Sequence, residues 1–219
     1  MGDDMVDTSL LPAIKETIKQ NEIGNKTPYE LSYALKGKSG ASFGFMQGDT
    51  NVQPLARDTL KKALGAAGAS SAAITRIMTA VCQALPHGNP LSAADTKLAN
   101  DALSSAAGRK LVDAMDMAIL GDVLAGVDAC IAAAGTRKVT IDPLALLYIA
   151  PWINMTGPPS LLKTWLAGAS ALGLQAPTPP NVTAEEMETY LQATAYFQAN
   201  PRNFIHFRQC VAAGAKLLP

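Results

Sequence analysis

The chain has 219 residues, of which 48% are hydrophobic and 16% are charged, a balance that excludes extensive disorder and supplies a sizeable core. Its 18 basic and 18 acidic side chains cancel, so there is no cationic excess to bind a phosphate backbone, and we expect no nucleic-acid partner. The composition favours a mostly α-helical fold, because alanine is frequent and aromatic residues are few. The 17 glycines and 14 prolines can end the helices and form the turns between them.

The first residues and the apolar runs bear on where the protein is made. Residues 1–5 are acidic and lack the basic flank and apolar stretch of a signal peptide. No run reaches the roughly eighteen apolar residues that span a bilayer. The sequence therefore predicts synthesis in the cytoplasm without membrane insertion, and a substrate outside the cell would require a separate route of delivery.

A first amphipathic helix is predicted over residues 8–20, because its apolar side chains recur at helical spacing. These side chains are Leu10, Leu11, Ile14 and Ile18. Asp7 or Thr8 can cap the start of this helix, and Gly24 follows its end. Glu22 is therefore expected on the final turn, where a side chain can project into a cleft.

Helical periodicity stops after this helix, and glycine, serine and lysine become frequent. Residues 29–35 and 41–47 predict a short β-hairpin, with residues 36–40 as its turn.

Helical spacing returns beyond residue 51 and continues almost to the end of the chain. The predicted helices cover residues 52–65, 70–85, 92–106, 111–134, 142–152, 160–168, 183–200 and the segment from 201 onwards. Ser92 is expected to cap one of them, and Thr183 with Glu186 forms a capping box for another. The helix over residues 111–134 is apolar nearly all round, which predicts a central and buried position. The proline-rich residues 176–181 predict an extended linker.

Two carboxylates near the predicted hairpin, Glu22 and Asp49, have the residue types that sugar cleavage requires. A glycosidase needs one carboxylic acid to protonate the leaving oxygen and a second group to activate water or stabilise the sugar cation. Glu22 precedes a ribbon that carries Phe43 and Phe45, and partial burial there would raise its pKa, as a general acid requires. The alternatives are an exposed helix-end glutamate and a turn-forming aspartate. Gln47 could bind a sugar or satisfy a backbone group.

Residues 42–49 read Ser-Phe-Gly-Phe-Met-Gln-Gly-Asp. This segment closely resembles the Gly-Phe-Gly-Leu-Met-Gln-x-Asp element of goose-type lysozymes and the Ser-x-x-Gly-x-x-Gln motif of soluble lytic transglycosylases. In both families the element lines the glycan groove and follows the catalytic glutamate at a similar spacing, which here is the 25 residues from Glu22 to Gln47. The resemblance implies that Glu22 is the catalytic acid and Asp49 the second carboxylate. It also implies three groove residues, which are Ser42, Gly44 and Gln47.

A looser resemblance covers residues 152–166, which are similar to the Tyr-Asn-Ala-Gly-x-Gly…Trp-Leu segment that closes the groove in transglycosylases. The asparagine of that segment contacts the sugar, and its counterpart here would be Asn154. The family tyrosine is replaced by Ile153, so its role is empty or falls to Tyr148 or Trp152.

The fold implied by the resemblance is mostly α, a lysozyme-like single domain over residues 1–219 with a small β-hairpin between its first two helices. The second segment lies farther along the chain than is usual, which implies a helical insertion at about residues 65–108. The helices of residues 182–219 would pack on the domain.

The implied function is that of a muramidase, which cleaves the β-1,4 bond between N-acetylmuramic acid and N-acetylglucosamine in the glycan strand of bacterial peptidoglycan. Glu22 would donate the proton and Asp49 would support the attack of water. A lytic transglycosylase, in which the muramyl hydroxyl attacks internally, and a chitosanase-like or chitinase-like hydrolase remain alternatives. A non-catalytic glycan-binding or virion protein is a further alternative, and it would leave Glu22 fully exposed and far from Asp49.

The lack of a signal peptide suits a phage endolysin released through a holin, or an effector injected by a secretion machine, and acting on the cell wall in the periplasm. The sequence does not choose between these routes, and it leaves open whether an inhibitor or immunity protein is a second partner.

The remaining reactive residues point to no other chemistry. Cys82, Cys130 and Cys210 lie far apart along the chain and are expected to be buried thiols. His87 falls in a predicted loop and His206 on a helix face. Because neither zinc-ligand spacing nor a glycine-rich phosphate loop occurs, we expect no metal and no cofactor.

Overall fold

A computed structural model describes residues 5–34, 37–157 and 159–219 of the chain. The acidic residues 1–4, the end of the predicted hairpin strand at Leu35, the turn residue Lys36, and Pro158 of the second resembling segment lie outside this description. The protein is mostly helical with a small antiparallel sheet early in the chain, as the sequence predicted. Its residues divide into two compact units, Asn25–Leu120 and the combination of Met1–Gly24 with Gly121–Pro219.

The unit formed by Asn25–Leu120 holds the sheet. Strands β1 (Ser32–Tyr33), β2 (Ala41–Phe43) and β3 (Gly48–Asp49) pair antiparallel in the order β1-β2-β3. The predicted hairpin is confirmed by the register of Ser32 opposite Ser42. The third strand was not predicted, because residues 44–47 form a tight turn instead of continuing β2.

Helices α2 (Pro54–Ala66), α3 (Ser71–Val81) and α4 (Ala93–Ser104) complete this unit with the first half of α5 (Ala106–Gly135). Their apolar faces form one core with Ala41 and Phe43 of the sheet. Ser92 accepts the Asp95 amide at the start of α4, so the predicted cap is confirmed. Residues 65–108, predicted as an insertion, hold α3 and α4.

The second unit contains a short 3-10 turn (Thr8–Leu10), α1 (Leu11–Glu22), the second half of α5, and all later elements. Those elements are β4 (Thr140–Ile141), α6 (Pro143–Thr156), α7 (Ser160–Leu166), β5 (Asn181–Val182), α8 (Ala184–Gln192), α9 (Ala195–Ala199) and α10 (Pro201–Ala215). The predicted capping box of Thr183 and Glu186 is present. The helix predicted over residues 183–200 is broken, because Thr194 caps a new helix, α9.

Helix α1 packs against α10 and α6, and this packing fixes the helix end that carries Glu22. Gly214 makes the approach to α10 close, since a Cβ there would overlap the Thr17 hydroxyl and lie 2.6 Å from the Ala13 carbonyl oxygen. Thr17 is fully buried and donates its hydroxyl hydrogen to that same carbonyl at 2.8 Å. Small residues on both helices therefore hold α1 firmly in place.

Helix α5 corrects one expectation. Its buried residues follow a single stripe, while the opposite face exposes mostly alanine, glycine and aspartate, so the helix is not buried all round. The stripe includes Val112, Met115, Asp116, Leu120, Val123, Val127 and Cys130. A second correction concerns the expectation that no run is long and apolar enough to cross a bilayer: among the described residues α5 is, by length and composition, and about a third of its most apolar stretch is buried inside the protein.

Candidate active site

Glu22 is the last residue of α1 and is half-buried. Its Oε1 accepts two side-chain hydrogen bonds, from Nδ2 of Asn154 at 2.9 Å and from Nδ2 of Asn21 at 3.1 Å. Asn154 lies in the last turn of α6, 132 residues further along the chain. Two residues that the sequence resemblance had assigned to one site therefore touch each other.

Burial raises the pKa of the Glu22 carboxyl above its usual value, and the hydrogen bonds from Asn21 and Asn154 oppose that rise. Because both amides contact Oε1, the proton of the neutral acid is best accommodated on Oε2. The carboxyl thus has one oxygen fixed by the protein and one suited to carry a transferable proton. This is the electrostatic character of a general acid.

The thiol of Cys210 on α10 lies within the electrostatic reach of Glu22. Burial, with a smaller effect from the Glu22 charge, raises the pKa of this thiol to about 11. The exposed His206 ring is 3.5 Å from its sulfur. A thiol that stays protonated near neutral pH is a weak nucleophile, so Cys210 and His206 do not form an activated cysteine–histidine pair.

Tyr148 and Trp152 lie on a different face of α6 from Asn154, because four residues along a helix nearly complete a turn whereas two reverse the direction. The Tyr148 hydroxyl donates to Glu188, whose Oε1 is 2.9 Å from Nε of Arg208. It borders a cavity of about 700 Å³.

Trp152 packs against Phe197, with ring centroids 5.5 Å apart, and borders a separate cavity of about 450 Å³. The proposed sugar contacts of Tyr148 and Trp152 therefore do not join the Glu22–Asn154 pair, and only Asn154 of the three does.

In the sheet unit, Gln47 has a positive φ of 52° and completes the turn between β2 and β3. Its Nε2 donates to the Gly44 carbonyl oxygen at 3.0 Å, and its Oε1 accepts the Ser32 hydroxyl at 2.6 Å. Ser42 is buried, and its carbonyl oxygen lies 3.1 Å from the same Ser32 hydroxyl oxygen, whose single hydrogen is shared between the two acceptors. The amide of Gln47 is thus engaged in holding the turn, which is the second of the two roles considered for it.

Asp49 ends β3 and has the role of a turn-forming aspartate. Its Oδ1 accepts backbone N–H groups from Gly40 at 3.1 Å, Asn51 at 2.7 Å and Val52 at 3.2 Å. These bonds join the start of β2 to the segment that leads into α2. A catalytic role for Asp49 would have to use its other oxygen.

The sequence analysis missed Asp116, which is only 1% exposed. From α5 its Oδ2 accepts the Phe45 amide at 2.9 Å, and its Oδ1 accepts the Met46 amide at 3.1 Å. Burial, with a smaller contribution from the Asp113 charge, raises its pKa to about 6, and these two bonds oppose the rise. A Cβ on Gly44 would overlap Oδ1, so only glycine fits there. The sequence signal that could have identified Asp116 is its position among the apolar residues that form the buried stripe of α5.

No group of three or more potential metal ligands lies together among the residues that the structure describes. All three cysteines are free. Cys130 is fully buried, and burial raises its pKa to about 12, whereas Cys82 is partly buried and burial is also the main cause of its raised pKa.

Comparison of the chain with protein-family models, with curated proteins and with solved structures yields no match. The resemblance to goose-type lysozymes and lytic transglycosylases therefore rests on the quoted motifs alone.

Proposed function

We propose that the protein is a muramidase that cleaves the β-1,4 bond between N-acetylmuramic acid and N-acetylglucosamine in peptidoglycan, with Glu22 as the general acid. The observation that supports the proposal most is the contact between Asn154 Nδ2 and Glu22 Oε1 at 2.9 Å on a half-buried carboxyl whose pKa is raised. A raised pKa keeps the carboxyl protonated closer to neutral pH, as a proton donor requires, and both amides bind the same oxygen, which leaves Oε2 to carry the proton.

In the proposed reaction the proton on Glu22 passes to the glycosidic oxygen as the bond from that oxygen to the anomeric carbon breaks. The oxygen of water then bonds to the anomeric carbon, and a carboxylate takes the released proton. Asn154 keeps Oε1 oriented throughout, so that Oε2 is presented to the leaving oxygen. Asp49 is the proposed partner for water, and the turn of residues 44–47 is the proposed sugar-contacting element.

A lytic transglycosylase is the second candidate, and the engagement of Asp49 favours it. Three backbone amides bind Oδ1 of that residue, which gives it a structural task at the end of β3. Without a carboxylate to activate water, the hydroxyl of the muramyl sugar would attack the anomeric carbon and return its proton to the ionised Glu22. The product would be an anhydro-muramyl sugar, which weighs one water less than the hydrolysis product.

The non-catalytic alternative predicted a fully exposed Glu22, and the half-buried side chain weighs against it. Delivery as a phage endolysin or as an injected effector is part of the same proposal, since either route brings the protein to the periplasmic cell wall.

The test is a turbidity assay on outer-membrane-permeabilised bacteria with Glu22→Gln and a matched control, Glu16→Gln. Glu16 lies on the same helix and contacts Gln20 and Lys19 at its surface. We expect Glu22→Gln to lose roughly 10²-fold or more of the activity, the usual contribution of a general acid, and Glu16→Gln to retain it.

Mass spectrometry of the digested wall separates hydrolysis from the anhydro product. Parallel digests of chitin and chitosan identify the alternative substrates. Equal activity of Glu22→Gln and wild type would rule out the proposed mechanism.

A further inference from the structure

The turn between β2 and β3 is held from behind by one carboxylate. Asp116 gives one oxygen to the Phe45 amide and the other to the Met46 amide, so both acceptors are used by successive backbone groups. Gly44, at φ +80°, allows the carboxylate to approach the backbone this closely. The turn residues 44–48 carry no charged side chain of their own.

We propose that Asp116 is the positioning residue of this turn, holding it rigid when ionised and loosening it when protonated. This role deepens the proposed function and rests on it, since the turn is the element assigned to sugar binding. Asp116 itself is too buried to touch a substrate and acts only through the Phe45 and Met46 amides.

The physical reason lies in the hydrogen-bond capacity of the carboxyl group. An ionised carboxylate accepts at both oxygens, whereas a carboxylic acid has one good acceptor and one hydroxyl oxygen that accepts poorly. A proton taken up from solvent must therefore weaken the bond to Phe45 or the bond to Met46. The turn is then held by one remaining hydrogen bond from a backbone amide to Asp116 and by the hydrogen bonds of the Gln47 side chain.

The charged and titratable groups near Asp116 are few. Asp113 lies on the same helix and opposes ionisation of Asp116, while accepting a hydrogen bond from the Tyr29 hydroxyl at 2.8 Å. Arg109, also on α5, lies over the Tyr29 ring with its guanidinium carbon 5.1 Å from the centroid. Of these side chains, Asp113 acts on the pKa of Asp116, and the turn contributes the two backbone hydrogen bonds from Phe45 and Met46 that oppose its rise.

Local order and overall stability should respond to acid in opposite directions. The pKa of Asp116 is raised from 3.8 to about 6, so its contribution to folding is fully present below pH 3.8 and is lost as the pH rises through about 6. Acid therefore favours the folded unit while releasing part of the turn. A purely structural carboxylate whose bonds outweighed its burial would instead show both quantities falling together in acid.

The test is amide hydrogen exchange by NMR on the wild-type protein, expressed as protection factors to remove the intrinsic effect of pH. We expect the protection of the Phe45 or Met46 amide to fall several-fold as the pH drops through about 6, while the unfolding free energy attributable to this group rises. Asp116→Asn, with a single carbonyl acceptor, should leave one of the two amides poorly protected at every pH and abolish the step.

Asp113→Asn is the matched control, because it removes a neighbouring charge and leaves both turn bonds in place. Its pH step should persist with the midpoint moved to lower pH. Constant protection of both amides across the midpoint in the wild type would overturn the proposal without requiring any variant to fold.

A kinetic measurement links the turn to the proposed reaction. Asp116→Asn should raise KM several-fold and change kcat by less than twofold, since the turn is assigned to binding and Glu22 to proton transfer. An unchanged KM alongside intact cleavage would refute the positioning role. If the proposed function were wrong, Glu22→Gln would instead be fully active, and the result of the hydrogen-exchange experiment would not change.

Discussion

Glu22 and Asp116 are two carboxyl groups whose pKa values are raised chiefly by burial, yet their surroundings differ in kind. Glu22 is half-buried, and two side-chain amides bind one of its oxygens. Asp116 is fully buried, and two backbone amides bind one oxygen each.

The contrast shows that a raised pKa alone does not identify an acid catalyst. What matters is whether an oxygen is left from which a proton can reach a ligand. Glu22 keeps such an oxygen, and Asp116 uses both of its oxygens to hold the chain. The first environment suits proton transfer and the second suits the shaping of a turn.

The largest expected effect is on the backbone near Asp116. Gly44→Ala combines a positive φ of 80° with a Cβ that would overlap the carboxylate and lie 2.8 Å from Cε of Met115. We expect it to lower the unfolding free energy by about 3 kcal/mol, the sum of left-handed strain and overpacking. Urea denaturation measures this loss.

Gly68→Ala is the matched control, since Gly68 has a similar φ of 76° but open space around its Cβ position. It should cost only about 1 kcal/mol, the strain alone. Equal losses for the two variants would show that Asp116 does not crowd Gly44.

A smaller effect is expected from the other support of the same turn. Ser32→Ala removes the donor to Oε1 of Gln47 but leaves the bond from Gln47 to the Gly44 carbonyl. Its cost should be about 1 kcal/mol, typical of one hydrogen bond. The exposed Ser71→Ala serves as the control in the same denaturation experiment. A cost above that of Gly44→Ala would make Gln47, and not Asp116, the principal support.

The pH dependence of stability tests the Glu22 environment. Because its folded pKa is raised, the stability that Glu22 contributes is present below its unfolded value and is lost as the pH rises through the folded value. The unfolding free energy of Glu22→Gln, relative to that of the wild type, should therefore increase as the pH rises from acid to mildly alkaline. A gain in the acid direction would mean that burial does not dominate at Glu22.

The smallest effect concerns the amides that bind Oε1 of Glu22. Each donates to the carboxyl and lowers its pKa, so Asn154→Ala and Asn21→Ala should each raise it further. Carbon-13 NMR titration of the carboxyl measures the change directly. A fall in the pKa of Glu22 on removing Asn154 would show that the Asn154 amide does not stabilise the ionised carboxyl. The hydrogen bond between the two residues would then not support the proposed site.

Much of the fold follows from local chemistry in the sequence. Ser92 and Thr183 cap their helices as predicted, because capping depends on residues three positions apart. The hairpin was predicted from a glycine-containing turn between two β-prone segments and is confirmed by the pairing of Ser32 with Ser42, but its register was not predicted, and residues 44–47 form a turn where a strand was expected. The break before α9 was missed, since Thr194 lies within a helical pattern whose interruption is decided by packing.

The site was harder to predict than the fold. The pairing of Glu22 with Asn154 agrees with the resemblance of two separate motifs, but Tyr148 and Trp152 required knowledge of which face of α6 each residue occupies. Asp116 was missed because an aspartate in an apolar helix, like Asp113 and Asp122 of α5, normally lies on the exposed face. Its partners are backbone amides, which leave no trace in the identity of distant residues.

The buried cysteines have a consequence for passage into an oxidising compartment. Burial raises the pKa of Cys210 to about 11 and that of Cys130 to about 12, so both thiols stay protonated near neutral pH. Disulfide exchange begins with thiolate attack, so both sulfurs should resist oxidoreductases and alkylating reagents for as long as the chain stays folded. For the delivery route proposed above, Cys210 and Cys130 should therefore stay reduced outside the cytoplasm, whereas the partly buried Cys82 is less shielded from reagents.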